Sequence, residues 1–314
     1  MQLFQNLAEA ALPGPTVLSI GTFDGVHLGH QDLIQHLKSV ATEAQAQAAV
    51  LAFHPRPKSV FAPELHANDY LTTASERAAL FEALGVDAAL IIPFTLEMAK
   101  LTAEDFMNLI VPRLNVIGLC VGYDFALGKG RQGTVDRLAE IGQALGYNVT
   151  KVKPFLLNGE TVSSTRVRDC LLLGDVRGAA NLLGRYPFLR SEIIQGERRG
   201  RTIGYPTANF AIPPERLLPA HGVYATFIRY AGEEQRYPSV TNVGIRPSFN
   251  GTTRTVETHI FDFQQEVYGQ TFILEFVEHL RPEMKFDGID ALVRQINSDA
   301  TRAQELLVTE KLFI

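Results

Sequence analysis

The stretch GTFDGVHLGH, residues 21–30, decides how the first half of the chain is read. It stands between an apolar run over 16–20 and a helical pattern over 33–40, so it is a turn leading from a strand into a helix. Gly21, Gly25 and Gly29 let the backbone turn tightly and approach a ligand closely. The helix start beyond them offers free N–H groups and a positive dipole end, which suit an anion. His27 and His30 add two imidazole donors at the same place.

Around this turn, short apolar runs over 16–20, 49–53, 88–92, 117–122 and 148–152 alternate with helical patterns. That alternation predicts βαβ units and a parallel sheet. Thr73 with Glu76, and Thr102 with Asp105, read as capping boxes; Thr134 caps without a reciprocal acid, and Gly85 and Gly146 mark helix stops. The glycine spacing is neither GxGxxG nor a phosphate loop ending in Lys-Ser/Thr, which disfavours a dehydrogenase or a P-loop kinase. A zinc site would need a third ligand and usually an acid between the histidines, and neither is present.

A chain of 314 residues is about twice the length at which one core stops growing, so two domains are expected. With 46% hydrophobic and 20% charged residues, both should bury real cores. Two cysteines, Cys120 and Cys170, without a CxxC pair, support neither a disulfide framework nor structural zinc, and a cytoplasmic location is expected. The first 37 residues hold no Lys or Arg, and no apolar run approaches ~18 residues, so neither export nor a membrane span is expected. The net charge is −5, with 14 basic against 18 acidic residues before residue 185 and 15 against 16 from residue 185 onward. Neither half carries the broad basic surface that nucleic acid requires, and short clusters such as 129–131 and 198–201 suit a few phosphates instead.

The second half changes character. Strand patterns over 189–195, 223–230, 235–242, 255–261 and 271–280, separated by Gly/Pro/Asn turns, predict an antiparallel barrel or sandwich. A helical stripe over 287–307 follows. Residues 166–183 read as one helix ending at Gly184, which places the boundary there: 1–184 and 185–314. The loop GERRGRTIGYPTANF, 196–210, combines glycines and arginines with Thr207 and Asn209, two oxygen ligands on one side of an extended segment. Alone, PTAN reads equally as a turn.

HLGH within 21–30 resembles the nucleotidylyltransferase signature, whose histidines hold the phosphates of ATP. FHPRP at 53–57, VGYDFALGKGRQG at 121–133 and VSSTRVR at 162–168 look like further blocks of the bacterial bifunctional riboflavin kinase/FAD synthetase family. PTAN, HGVYA at 221–225, TNVGIRPSF at 241–249, VETHIFDF at 256–263 and LRPEMKF at 280–286 resemble its kinase half, so the likeness spans nearly the whole chain.

The resemblance implies an α/β protein: an N-terminal Rossmann-like nucleotidylyltransferase domain with a parallel sheet, then a C-terminal antiparallel β-barrel with a C-terminal helix. It implies a bifunctional enzyme that phosphorylates riboflavin to FMN and adenylylates FMN to FAD, with ATP as co-substrate, Mg2+ as cofactor, and no nucleic-acid or membrane partner. The chain is expected to be a monomer or weak homo-oligomer. Implied catalytic residues are Glu257, as base on the ribityl hydroxyl, with His27, His30 and Arg168 at the adenylyl-transfer site.

Implied nucleotide contacts are Gly21, Phe23, Asp24, Gly25, Gly29, Asp124, Ser164, Thr165, Gly200 and Arg201. Thr207 and Asn209 would bind the metal, and Phe53 and Phe125 the flavin. Ser164 or Thr165 as an ordinary helix cap, the two phenylalanines as core, and Glu257 as an exposed strand residue are equally consistent with the bare pattern. Periodicity leaves open which face of its strand points inward.

Three departures stand out. Ala126-Leu127 replaces a block that commonly carries an aromatic, Tyr205 stands where Phe is more frequent, and Ser248 where Thr is. Alternatives to the bifunctional reading are a kinase with weakened adenylylation, from the Ala126-Leu127 change, and a non-catalytic flavin- or nucleotide-responsive regulator.

Overall fold

The apolar runs of the first half pair as strands of one sheet in the computed structural model, which describes residues 1–65, 69–196, 204–248 and 251–310. In chain order the elements are β1 (Gln2–Phe4), β2 (Thr16–Gly21), α1 (Leu28–Glu43), β3 (Gln47–Phe53), α2 (Pro57–Phe61), α3 (Ala74–Ala83), β4 (Ala88–Ile92), α4 (Ala103–Ile110) and β5 (Val116–Gly122). There follow a small hairpin of β6 (Ala126–Leu127) and β7 (Gly133–Thr134), α5 (Val135–Leu145), β8 (Asn148–Val152), and a second hairpin of β9 (Leu156–Leu157) and β10 (Glu160–Thr161).

The sheet order is β1-β4-β3-β2-β5-β8, with every pair parallel. All five predicted strands are present. The short edge strand β1 escaped the reading because its three residues carry no long apolar run. Buried residues fill both faces of the sheet, as strands covered by helices on each side require. The capping boxes at Thr73 and Thr102 form as read, Thr134 caps alone, and Gly146 ends α5 in the left-handed conformation at φ 82°.

Because β2 lies between β3 on one side and β5 on the other, the chain reverses direction across the sheet at β2/β5. In open α/β sheets this is where a crevice forms beyond the carboxyl ends of the strands. The turn 21–30 and the segment after β5 meet there.

Helix α1 begins at Leu28, five residues before the predicted start, with His27 as its cap. A glycine one residue into the helix hid this start, since Gly29 reads as loop by propensity alone.

The predicted single helix over 166–183 is two, α6 (Ser164–Leu172) and α7 (Val176–Leu183). Gly174, at φ 78°, breaks it, and the Asp175 carboxylate accepts the Gly178 N–H at 2.8 Å to start the second piece. These helices also bear on the boundary. The chain divides into compact units Met1–Ser164 and Thr165–Ile314, twenty residues earlier than the expected break after 184. The physical reason is packing: Ala220 N–H donates to the Leu171 carbonyl at 2.8 Å, and Ala180 joins the apolar cluster between barrel and terminal helix.

The second unit is a closed antiparallel barrel: β11 (Phe188–Ile194), β12 (Ala208–Phe210), β15 (Gly251–Ile260), β14 (Tyr237–Ser248), β13 (Gly222–Tyr230) and β16 (Thr271–Arg281), with β11 pairing back to β16. The long helix α8 (Ile289–Thr309) packs on the barrel through Ala300, Ala303 and Leu307. Arg177 on α7 pairs with Glu278 on β16 and, at 2.8 Å, with Glu310 just beyond α8. That bond and one from the Tyr186 hydroxyl hold the Glu310 carboxyl below its ordinary range, against a smaller opposing effect of burial than that of Arg177.

Inside the barrel, four fully buried hydroxyls join in a row: Ser239 to Thr226 at 2.8 Å, Thr226 to Thr241 at 2.7 Å and Thr241 to Thr258 at 2.9 Å. Each buried hydroxyl needs such a partner, because an unpaired one costs about 1–3 kcal/mol. Replacing Thr241 by Val keeps the shape and removes the last two bonds of the row, to Thr226 and Thr258. Urea unfolding of the full chain followed at the barrel should therefore show a stability loss of about 1–3 kcal/mol with an unchanged m-value.

Candidate functional site

In the first unit the site begins where β2 runs out. A Cβ at Gly21 would lie 2.9 Å from the Phe23 ring, so only glycine fits there. Phe23 at φ 48°, Gly25 at 83° and Val26 at 41° turn the loop through the left-handed region, costly for a bulky and a β-branched residue.

The compensation is Asp24. Its buried carboxylate accepts the N–H groups of Leu71 and Thr72 at 3.0 Å, the Thr72 hydroxyl at 3.2 Å and the Arg56 guanidinium at 3.0 Å. Arg56, itself buried, also pairs with Asp69 and lies over the Tyr70 ring. The Asp24 carbonyl accepts from the Ser164 hydroxyl at 2.8 Å.

So Asp24 and Ser164, both expected at the nucleotide, make bonds that fasten the loop. Neither lines the cavity, and nor does Gly25, whose added Cβ would sit 2.8 Å from Leu71.

The fastened loop presents the histidines. His27 Nδ1 accepts the His30 backbone N–H at 3.3 Å, so a neutral His27 carries its proton on Nε2. The two imidazoles stack at 3.7 Å with 16° between their planes, and the Phe23 ring lies 5.1 Å from His30. Gly29 gives the His27 ring room, since a Cβ would stand 3.3 Å from that ring and 3.4 Å from the Val162 carbonyl.

Beneath these groups lies Arg77, fully buried on α3. It donates to the carbonyls of Thr22 at 2.5 Å and Phe53 at 3.1 Å, pinning the ends of β2 and β3 together. Burial pushes its pKa down, and Asp24 opposes that. No periodicity marks such a residue in the sequence.

A cavity of about 780 Å³ opens at the β2/β5 switch point. Gly21, Phe23, His27, Gly29, His30, Phe53, Asp124 and Phe125 of the predicted set line it. Phe53 and Phe125 also pack on the core, so these rings face the cavity and the core at once. Asp124 is an exposed carboxylate at the rim.

The sequence reading missed Phe61 and Phe94, which line the same cavity. Phe94 stands 5.5 Å from Phe53 and 5.9 Å from Phe61, edge to face. Leu127 lines it too, so aromatic surface comes from these rings instead of that position. Thr165 and Arg168 lie on α6 in the second unit.

In the second unit, alternation along β12 puts Ala208 and Phe210 among the buried residues and Asn209 on the other face, with Thr207 two residues before it. On β15, Val256, Thr258 and Ile260 are buried, which turns Glu257 and His259 outward. Asn209 and Glu257 are direct partners across β12/β15, and Asn242 is the partner of Glu257 across β14/β15. A polar row therefore runs Asn209, Glu257, Asn242 across the outer surface of the barrel. Asn242 lies within a quoted motif but had not been singled out.

Cavities of about 390 and 400 Å³ both reach Thr207. Glu257 and Asn242 line the second of these, whose far wall carries Met284, Phe286, Leu292 and Ile296 from α8 and the segment before it. Arg281 closes that wall, holding Asp299 of α8 at 2.7 and 3.0 Å. Gly200 and Arg201 lie outside the described residues.

Sequence comparison bears directly on this pair of sites. Residues 9–166 match the FAD synthetase family and residues 183–307 the riboflavin kinase family. A bifunctional riboflavin kinase/FMN adenylyltransferase of Haemophilus influenzae is 36% identical over 97% of this chain and 98% of its own. The chain belongs to that family.

A protein of the same description from Escherichia coli is 36% identical, over 96% of this chain and 95% of its own. Among solved structures, one described as a macrolide-efflux protein from Streptococcus pneumoniae superposes with a TM-score of 0.87 at 30% identity, over 98% of this chain and 99% of that one. No described helix here is long and apolar enough to cross a membrane. The enzyme thus carries riboflavin kinase and FMN adenylyltransferase domains, with the transferase domain first.

If Asp24 fastens the loop and does not touch nucleotide, Asp24→Asn should lower stability by about 3–5 kcal/mol, because the substitution breaks a buried ion pair. Adenylylation should fall with the folded fraction. Urea unfolding and pyrophosphate release check this; a raised KM for ATP at unchanged stability would show that Asp24 contacts the nucleotide.

Proposed function

We propose that each reaction is carried out within one unit, by the residues its own cavities present. The observation that supports this is the separation of the linings: the histidine cavity draws only on residues 20–163, and the two barrel cavities only on residues 205–299.

In the barrel, Glu257 accepts the proton of the terminal ribityl hydroxyl as that oxygen attacks the γ-phosphorus of ATP, releasing ADP. A primary alcohol is a poor nucleophile at neutral pH, so a carboxylate at the attacking oxygen lowers the barrier. Riboflavin is assigned to the cavity walled by Phe286, Met284 and Leu292, where Glu257 stands. ATP is assigned to the cavity on the other side of Thr207.

Thr207 and Asn209 offer neutral oxygens on the outward face, a donor set that fits Mg2+ completed by phosphate and water. Gly196 leaves room for it, since a Cβ there would stand 2.4 Å from the Asn209 amide nitrogen. Bound Mg2+ would neutralise charge on the phosphates.

In the first unit, a phosphate oxygen of FMN attacks the α-phosphorus of ATP and the bond to the bridging oxygen of pyrophosphate breaks. The FMN phosphate is already anionic, its second pKa being about 6, so no base is needed. His27 through Nε2–H, His30 and the α1 start stabilise charge on the leaving pyrophosphate. The rings of Phe53, Phe61, Phe94 and Phe125 are assigned to the isoalloxazine. Cys120 and Cys170 are free thiols, which supports a reducing compartment.

Chromatography of the enzyme with riboflavin, ATP and Mg2+ should show FMN rising and then giving way to FAD. Glu257→Gln should cut FMN formation about 100- to 10,000-fold and leave adenylylation of supplied FMN intact. His30→Ala should do the reverse, by about 100-fold or more. Equal loss of both activities in either folded variant would refute two independent centres.

A further inference from the structure

We infer that His259 is a positioning residue for the kinase reaction, fixing the peptide that carries the metal ligand Thr207. The inference rests on the assignment of Thr207 and Asn209 made above. His259 stands two residues beyond Glu257 on the same outward face of β15, and both line one cavity. Its Nδ1 lies 2.8 Å from the Pro206 carbonyl oxygen. A carbonyl only accepts, so His259 holds its proton on Nδ1 and donates it there. The imidazole is wedged between the rings of Tyr205, at 5.0 Å, and Phe261, at 5.8 Å. The Tyr205 hydroxyl is in turn bonded to Asn297 on α8.

The location of the bond gives it its effect. The ladder to β15 holds Ala208 and Asn209 and ends there, so Thr207 lies one residue beyond the last paired position. The Pro206 carbonyl and the Thr207 N–H belong to one rigid peptide plane. By holding that carbonyl, His259 extends the order of the sheet across Thr207. The hydroxyl is thereby presented beside Asn209 before any nucleotide arrives. Without the bond, the Thr207 peptide must be ordered at the moment of binding, and nucleotide affinity carries that cost.

Two amide side chains separate this role from others. Asn places its NH2 group near the position of imidazole Nδ1, and Gln near that of Nε2. The test uses the full chain and residue-resolved hydrogen exchange of the amides of Thr207, Ala208 and Asn209, titrated with Mg2+-ADP. The wild type should gain protection on titration. His259→Gln should exchange faster at these amides when free, and should need about tenfold more Mg2+-ADP for half protection, the lower end of the range for residues supporting a metal ligand. His259→Asn should stay close to wild type.

In the kinase assay the same contrast should appear in the KM for Mg2+-ATP, with a smaller change in the KM for riboflavin. Equal midpoints for wild type and both variants would overturn the positioning role alone. A larger loss for riboflavin than for Mg2+-ADP would overturn it by moving His259 to the flavin side. No protection of these amides in the wild type would overturn both this inference and the assignment of Thr207 and Asn209.

Discussion

The first unit depends on one buried carboxylate. The loop after β2 must bend through three left-handed residues, two of them non-glycine, to bring both histidines to the start of α1. Nothing in the propensities of Phe23 and Val26 favours that path. Asp24 holds it by satisfying the backbone of Leu71 and Thr72 and the guanidinium of Arg56 together. Arg77 then locks the ends of β2 and β3 from beneath. The histidines stand at the cavity because other residues absorb the strain of placing them.

The barrel meets the same need in another way. Closing six strands into a barrel sends alternate side chains inward, where even Thr226, Ser239, Thr241 and Thr258 must bond to one another. The remaining positions face out, and there Asn209, Glu257 and Asn242 line up across three neighbouring strands. A row on adjacent strands is rigid because ladder hydrogen bonds fix its spacing, about 5 Å between side-chain origins. Helix α8 and the Arg281–Asp299 pair then wall the outer surface, so a polar row on the outside of a barrel becomes a cavity.

Both sites therefore combine a rigid edge with a residue just past its end. His27 follows the turn after β2, and Thr207 precedes β12 by one position. Such places give up ladder bonds in return for access to ligand, and each is restored by a side chain: Asp24 in one unit and His259 in the other.

By itself, the sequence determined the strands of the sheet, most helix caps, the change to a barrel pattern and the family, because period, turn chemistry and motif are local properties. The tertiary structure alone decided that Glu257 faces outward, since alternation names two faces without saying which one the core takes. It alone divided the helix at Gly174 and joined both pieces to the barrel unit, because packing against β16 and the segment at Ala220 is invisible to period. It also placed Asp24 and Ser164 in bonds within the loop, outside the cavity lining, and brought in Phe61, Phe94 and Asn242. Whether a polar group meets a ligand or its own backbone depends on what lies opposite it in space, and that is settled only when distant segments meet.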